Sequence, residues 1–161
     1  MILKGIIEED FINYKKPCMV LEFPKCDFKC DRECGLKVCQ NGRLPLAPDI
    51  EIDDFEIINR YVHNPITQAI VFQGLEPFDS VEQIYPFITK FRSVSDDDIV
   101  IYTGYKESEL PANMIYLKHI GQRNVIVKFG RFIPAAPQPY HYDEILGVEL
   151  ASDNQYAKRI C

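Results

Sequence analysis

The chain has no surplus of positive charge: 18 lysines and arginines stand against 24 acids, for a net charge of −6. A broad electrostatic grip on nucleic acid or on an anionic membrane needs the opposite balance, so neither partner is expected. No apolar run approaches the length of a membrane span. The opening residues MILKGIIEEDF carry acids where a secretory signal carries bases, which predicts a cytoplasmic protein. Internal repeats, low-complexity tracts and Gly/Ser linkers are missing too, so residues 1–161 read as one domain. Histidine is scarce. His63, His119 and His141 lie far apart and supply no second ligand pair for a zinc site.

Cysteine is what the chain does have. Four of its six cysteines, Cys26, Cys30, Cys34 and Cys39, fall within fourteen residues, in the run FPKCDFKCDRECGLKVCQN. In a reducing compartment such clustering points to a metal or to catalysis, not to disulfides. A short loop can aim several thiolates at one point, whereas zinc ribbons and fingers usually draw ligand pairs from separate elements. An iron–sulfur cluster held by thiolates is therefore the better reading. The bland alternatives are a structural zinc knot and a four-cysteine electron-transfer cluster. Cys26 and Cys30 make a C-x3-C pair, and the third ligand is either Cys34 after three residues or Cys39 after eight. The longer excursion is open to the chain because Gly35 lets the backbone turn and closure cost grows slowly with loop length. Cys18 alternates into an apolar strand and reads as core. Cys161 reads as a mobile free thiol.

Local patterning predicts strands at residues 1–7, 17–23, 69–72, 99–103 and 124–129. The cluster loop, 24–48, is expected to be open and non-helical because Pro45 and Pro48 interrupt it. A helix is expected from Asp49, with Phe55, Ile58 and Val62 on its apolar face. Ser80-Val81-Glu82-Gln83 has the form of a capping box that opens a helix over 81–92, with Pro86 as a kink. Asp96, Asp97 and Asp98 read as a solvated turn, His63 as a cation at a helix end, and residues 134–142 as a proline-rich surface loop. Short apolar strands alternating with helices make an α/β fold with a mostly parallel sheet. Such sheets gather their chemistry at the carboxyl ends of the strands, where the cysteine loop, Gly74-Leu75-Glu76-Pro77 and Thr103-Gly104-Tyr105 all fall.

Several motifs in this order resemble the radical S-adenosylmethionine superfamily, and in particular the small activating protein of anaerobic ribonucleotide reductase. Cys39-Gln40-Asn41 stands where that family has Cys-His-Asn, and Gln73-Gly74-Leu75-Glu76-Pro77 resembles its Gly-Gly-Glu-Pro. Tyr102-Thr103-Gly104-Tyr105 is as the family has it, and Ala151-Ser152-Asp153-Asn154-Gln155 resembles Gly-Ser-x-Asn-Gln. The departures are the cysteine spacing, since the family's usual form is C-x3-C-x2-C, and Leu75 at the second glycine. Val38 also stands where an aromatic residue usually precedes the third cysteine, which leaves Phe28 as the candidate for that contact.

The resemblance implies a small partial (β/α) barrel, a [4Fe–4S] cluster on Cys26, Cys30 and Cys39, and one iron open to S-adenosylmethionine. It implies no catalytic side chain beyond the cluster ligands. Gly74, Leu75 and Glu76 would meet the methionyl part, with the Glu76 carboxylate on its ammonium. Thr103 and Gly104 would line the adenosine or substrate pocket, and Ser152 and Asn154 would hold the ribose or methionyl part. The implied partners are a large glycyl-radical reductase subunit and a reducing flavodoxin or ferredoxin. The other readings are a radical enzyme acting on a small molecule and a non-catalytic iron–sulfur protein.

Overall fold

The computed structural model describes residues 1–121, 123–134 and 140–161. In chain order its strands are β1 (Ile2–Leu3), β2 (Gly5–Asp10), β3 (Cys18–Phe23), β4 (Ile50–Glu51), β5 (Ala69–Gly74), β6 (Asp98–Tyr102), β7 (Val125–Phe129), β8 (His141–Asp143), β9 (Val148–Leu150) and β10 (Tyr156–Arg159). Its helices are α1 (Lys29–Cys34), α2 (Asp54–His63), α3 (Val81–Arg92) and α4 (Pro111–Gly121). The apolar runs CMVLEF, AIVFQG, DIVIY and VIVKF become β3, β5, β6 and β7, four adjacent parallel strands. Nearly every residue in these runs is buried, as expected of strands covered on both faces. The antiparallel strands β2 and β10 close the two edges, in the order β10-β7-β6-β5-β3-β2.

Side-chain alternation splits the core in two. Leu21, Phe72, Ile101 and Val127 face one way and pack with Ile57, Phe87, Phe91 and Leu117 from α2, α3 and α4. Val20, Val71, Val100 and Ile126 face the other way, against Tyr14 and against Leu146 and Leu150 of the β8–β9 segment. All three crossover helices thus lie on one face, and the parallel strands add in one direction. No helix among the described residues is long and apolar enough to cross a membrane.

Several expectations need correction. Residues 1–7 are not one strand: β1 pairs with β4 and β2 pairs with β3. The cluster loop is partly helical, because α1 forms inside it and a 3-10 turn spans Leu44–Leu46. The buried face of α2 is Ile57, Ile58 and Tyr61, while Phe55 is 64 % exposed with the Lys90 ammonium over its ring. That helix has apolar residues on more than one face, and docking on the sheet selects among them. Ser80 makes no capping bond, because the chain enters α3 through a 3-10 turn, Pro77–Ser80, whose first N–H groups are met by Glu76. Helix α3 continues through Pro86.

Asp98 is no solvated turn residue. It is buried and accepts from Tyr14 and Lys16, with Arg159 alongside. Cys18 is buried in the core, and the Cys161 thiol packs half-buried against the core with its carbonyl bonded to Val125 N–H. Helix α4 and strands β8 to β10 have no counterpart among the sequence expectations. Of the proline-rich stretch, residues 135–139 lie outside the described residues.

Candidate functional site

A cleft of about 400 Å³ opens at the carboxyl ends of β3, β5, β6 and β7. Cys26, Cys30 and Cys39 line it, together with Gly74, Leu75, Glu76, Thr103, Gly104 and Tyr105. Cys34 is not among the lining residues. The three thiols reach one wall through local chemistry. Cys26 leaves β3 directly, and its sulfur accepts from Phe28 N–H at 3.2 Å. Cys30 lies in the first turn of α1. Gly35, at φ 65°, ends that helix in the left-handed conformation that glycine tolerates best. The chain then returns, because the Asp31 carboxylate accepts from both Val38 N–H and Cys39 N–H, at 2.8 and 2.9 Å.

Burial pushes the Cys26 thiol up to about 12, and the Glu76, Asp79 and Cys30 charges push the same way. The Cys30 thiol is also raised, first by burial and then by the nearby Cys39 sulfur. Partly desolvated thiols that raise one another in this way suit a cationic metal group, which removes the cost of ionising them together. An all-sulfur donor set on one loop fits an iron–sulfur cluster. Cys26 also comes within 4.8 Å of carboxylate oxygens of Asp27 and Asp79. Those acids are engaged elsewhere, Asp27 with Arg32 and Asp79 with the Tyr105 hydroxyl.

Glu76 is 5 % exposed and lines the same cleft, where its backbone N–H donates to the carbonyl of Lys25, next to Cys26, at 2.8 Å. Its Oε1 accepts from Thr103 Oγ1 at 2.8 Å and Phe78 N–H at 3.1 Å, and its Oε2 accepts from Gly104 N–H at 2.8 Å. A carboxylate offers about four acceptor positions, so Oε2 keeps one for a ligand. Desolvation lifts this carboxyl to about 7, against the pull of those three donors. Thr103 and Gly104 therefore act on Glu76 itself. Gly74 is needed for a reason the sequence did not disclose: at φ 95°, an added Cβ would lie 2.6 Å from the backbone nitrogen of Phe23. Its constraint is the close approach of β3 and β5.

Ser152 and Asn154 do not line the cleft, although their neighbours Ala151 and Gln155 do. Ser152 Oγ donates to Asn154 Oδ1, and Asn154 Nδ2 donates to the Arg131 carbonyl. Gln155 Nε2 donates to the Gly130 carbonyl. The motif thus fastens the chain as it leaves β7. Phe28 is not a lining residue either; the aromatic side chains there are Tyr102, Tyr105 and Phe132. Sequence reading also passed over Lys128 and Arg131, which line the cleft from the end of β7. A lysine inside the apolar run NVIVKF was the available signal.

No curated protein and no solved structure matches the chain. A family model described as a 4Fe-4S single cluster domain matches residues 18–141, a span that takes in the cysteine loop and all four parallel strands. The chain accordingly belongs to the 4Fe-4S single cluster domain family and is an iron–sulfur protein.

Proposed function

We propose that this iron–sulfur protein is a radical S-adenosylmethionine activase that generates a glycyl radical on a large anaerobic ribonucleotide reductase. The observation that carries the reading is one cleft that joins three thiols to a buried carboxylate with a free acceptor position. Cys26, Cys30 and Cys39 hold a [4Fe–4S] cluster and leave one of its irons without a protein ligand. When bound, the cluster supplies the electron that splits the sulfonium of S-adenosylmethionine into methionine and a 5′-deoxyadenosyl radical.

The chain's own residues bind and orient. Glu76 accepts the methionyl ammonium, and Thr103 and Gly104 hold that carboxylate in place. Val38 and Phe132 give the cleft apolar walls for the adenosine part. Ser152 and Asn154 support the ligand indirectly, by fixing the segment that carries Arg131 and Phe132. The single-direction strand order, with every crossover helix on one face, supports the partial (β/α) barrel. A short barrel of this kind leaves a side open for a glycine-bearing loop of the partner, with flavodoxin or ferredoxin as the reductant.

The test is anaerobic reconstitution, reduction in the presence of S-adenosylmethionine, and assay for 5′-deoxyadenosine. Slow cleavage without a partner is expected. A reduced cluster that yields neither 5′-deoxyadenosine nor methionine would falsify the enzyme reading.

A further inference from the structure

Two cysteines compete for the third place on the cluster. Cys34 follows Cys30 by four residues on α1, so the two side chains leave the helix on one face. Cys39 is reached only after the chain has left α1 at Gly35 and doubled back. Proximity in sequence favours Cys34, because a short closure costs less entropy than a longer one. Yet Cys39 lines the cleft with Cys26 and Cys30, and Cys34 does not.

Asp31 accounts for the reversal. Its Oδ1 accepts from Val38 N–H at 2.8 Å and from Cys39 N–H at 2.9 Å, and lies 3.9 Å from the Cys30 sulfur. One oxygen thus joins the helix that carries Cys30 to the backbone that carries Cys39. Among the described residues no other hydrogen bond ties residues 37–39 to α1. The neighbouring charges of α1 are engaged elsewhere, Arg32 with Asp27 and Glu33 with Arg131. We propose that Asp31 is the positioning residue that makes Cys39 the third cluster ligand, and that Cys34 takes that place when Asp31 is removed. The takeover is open because α1 is six residues long and buries none of them, so its last turn yields easily. Metal binding remodels such a segment readily, since the binding free energy is also folding free energy. The inference rests on iron–sulfur binding and not on the activase reading.

The experiment identifies the ligands without substituting any cysteine. Wild type, Asp31→Ala and Asp31→Asn are reconstituted anaerobically with iron and sulfide, then treated with iodoacetamide. Peptide mass spectrometry scores each thiol as protected or alkylated, against the metal-free proteins as the unprotected reference. Iron and sulfide analysis and the electron paramagnetic resonance signal of the reduced cluster are recorded beside it. In wild type Cys26, Cys30 and Cys39 should be protected and Cys34 alkylated. In Asp31→Ala the last two should exchange, with Cys34 protected, Cys39 alkylated, iron content retained and the resonance signal altered. Asparagine keeps an oxygen at the Oδ1 position, and the Oδ2 that it replaces has no hydrogen-bond partner among the described residues. Asp31→Asn should therefore show the wild-type pattern, a rescue that a general loss of loop stability would not give. Protection of Cys39 unchanged in Asp31→Ala overturns the inference, as does protection of Cys34 in wild type. Loss of the cluster from Asp31→Ala with neither thiol protected overturns it as well, because Asp31 would then hold the loop without deciding between the two. Asp31→Asn behaving like Asp31→Ala removes the hydrogen-bond account. No S-adenosylmethionine is present, so a failed activase reading leaves every one of these outcomes readable.

Discussion

At the scale of single residues the cysteines differ by position. Cys30 and Cys34 are four apart on α1, but only Cys30 lines the cleft, and Asp31 brings Cys39 back to the same wall. Cys39→Ala should abolish both cluster content and cofactor cleavage, while Cys34→Ala should spare both. Iron analysis and 5′-deoxyadenosine assay check the pair; the reverse pattern would hand the site to Cys34. Glu76 carries a pH signature. Its folded carboxyl lies near 7 against an ordinary value near 4.5, so the folded state holds a proton that the unfolded chain releases. The stability it lends is complete below about 4.5 and is lost as pH rises through about 7, with a slope of at most about 1.4 kcal/mol per pH unit. Metal-free wild type should therefore lose stability over that window relative to Glu76→Gln, as read by denaturant melts. Parallel curves for the two proteins would show that Glu76 is already ionised. On the reconstituted protein the same substitution should weaken S-adenosylmethionine by about ten- to a hundredfold and leave iron content near normal.

At the scale of elements the notable piece is α1, which has no buried residue. Apolar packing does not dock it, so its position is set by charge. Arg131, buried in the cleft wall, makes a two-pronged contact with Glu109 at 2.8 and 2.9 Å and lies 3.4 Å from Glu33 of α1. The same Glu109 carboxylate meets Lys29, next to Cys30. Arg131 foremost, with Lys29 helping, holds the Glu109 carboxyl well below the usual carboxylate range. Glu109→Gln should free the helix without unfolding the sheet. In metal-free protein the loop 24–48 should then be cut faster by a protease, and added salt should move wild type the same way. Unchanged cleavage would mean that the Asp31 turn alone keeps the loop in place.

At the scale of the whole molecule, four parallel strands bring distant segments to one edge: the loop after β3, the turn after β5 and the exits of β6 and β7. The opposite sheet face is closed by Tyr14, Leu146 and Leu150, so the cleft is a feature of the rim and not of a hollow interior. The acidic net charge leaves the surface unsuited to a polyanion, while Lys128 and Arg131 concentrate cations inside the cleft.

Much of the fold was legible in the chain itself. The four central strands, the edge on which the motifs meet and the cysteine loop all follow from apolar runs and spacing, which are local properties. The iron–sulfur chemistry was legible for the same reason, because thiols this close in sequence cannot be far apart in space. Contacts between segments far apart in sequence needed the tertiary structure. Whether Phe55 or Ile57 faces inward depends on which side of α2 meets the sheet. That Thr103 and Gly104 serve Glu76 depends on β5 and β6 lying side by side. The demand for glycine at position 74 comes from the backbone of β3. The carboxyl of Glu76 is raised and the ammonium of Lys128 is buried only because the assembled sheet takes both out of water, and no run of letters records that loss of solvent.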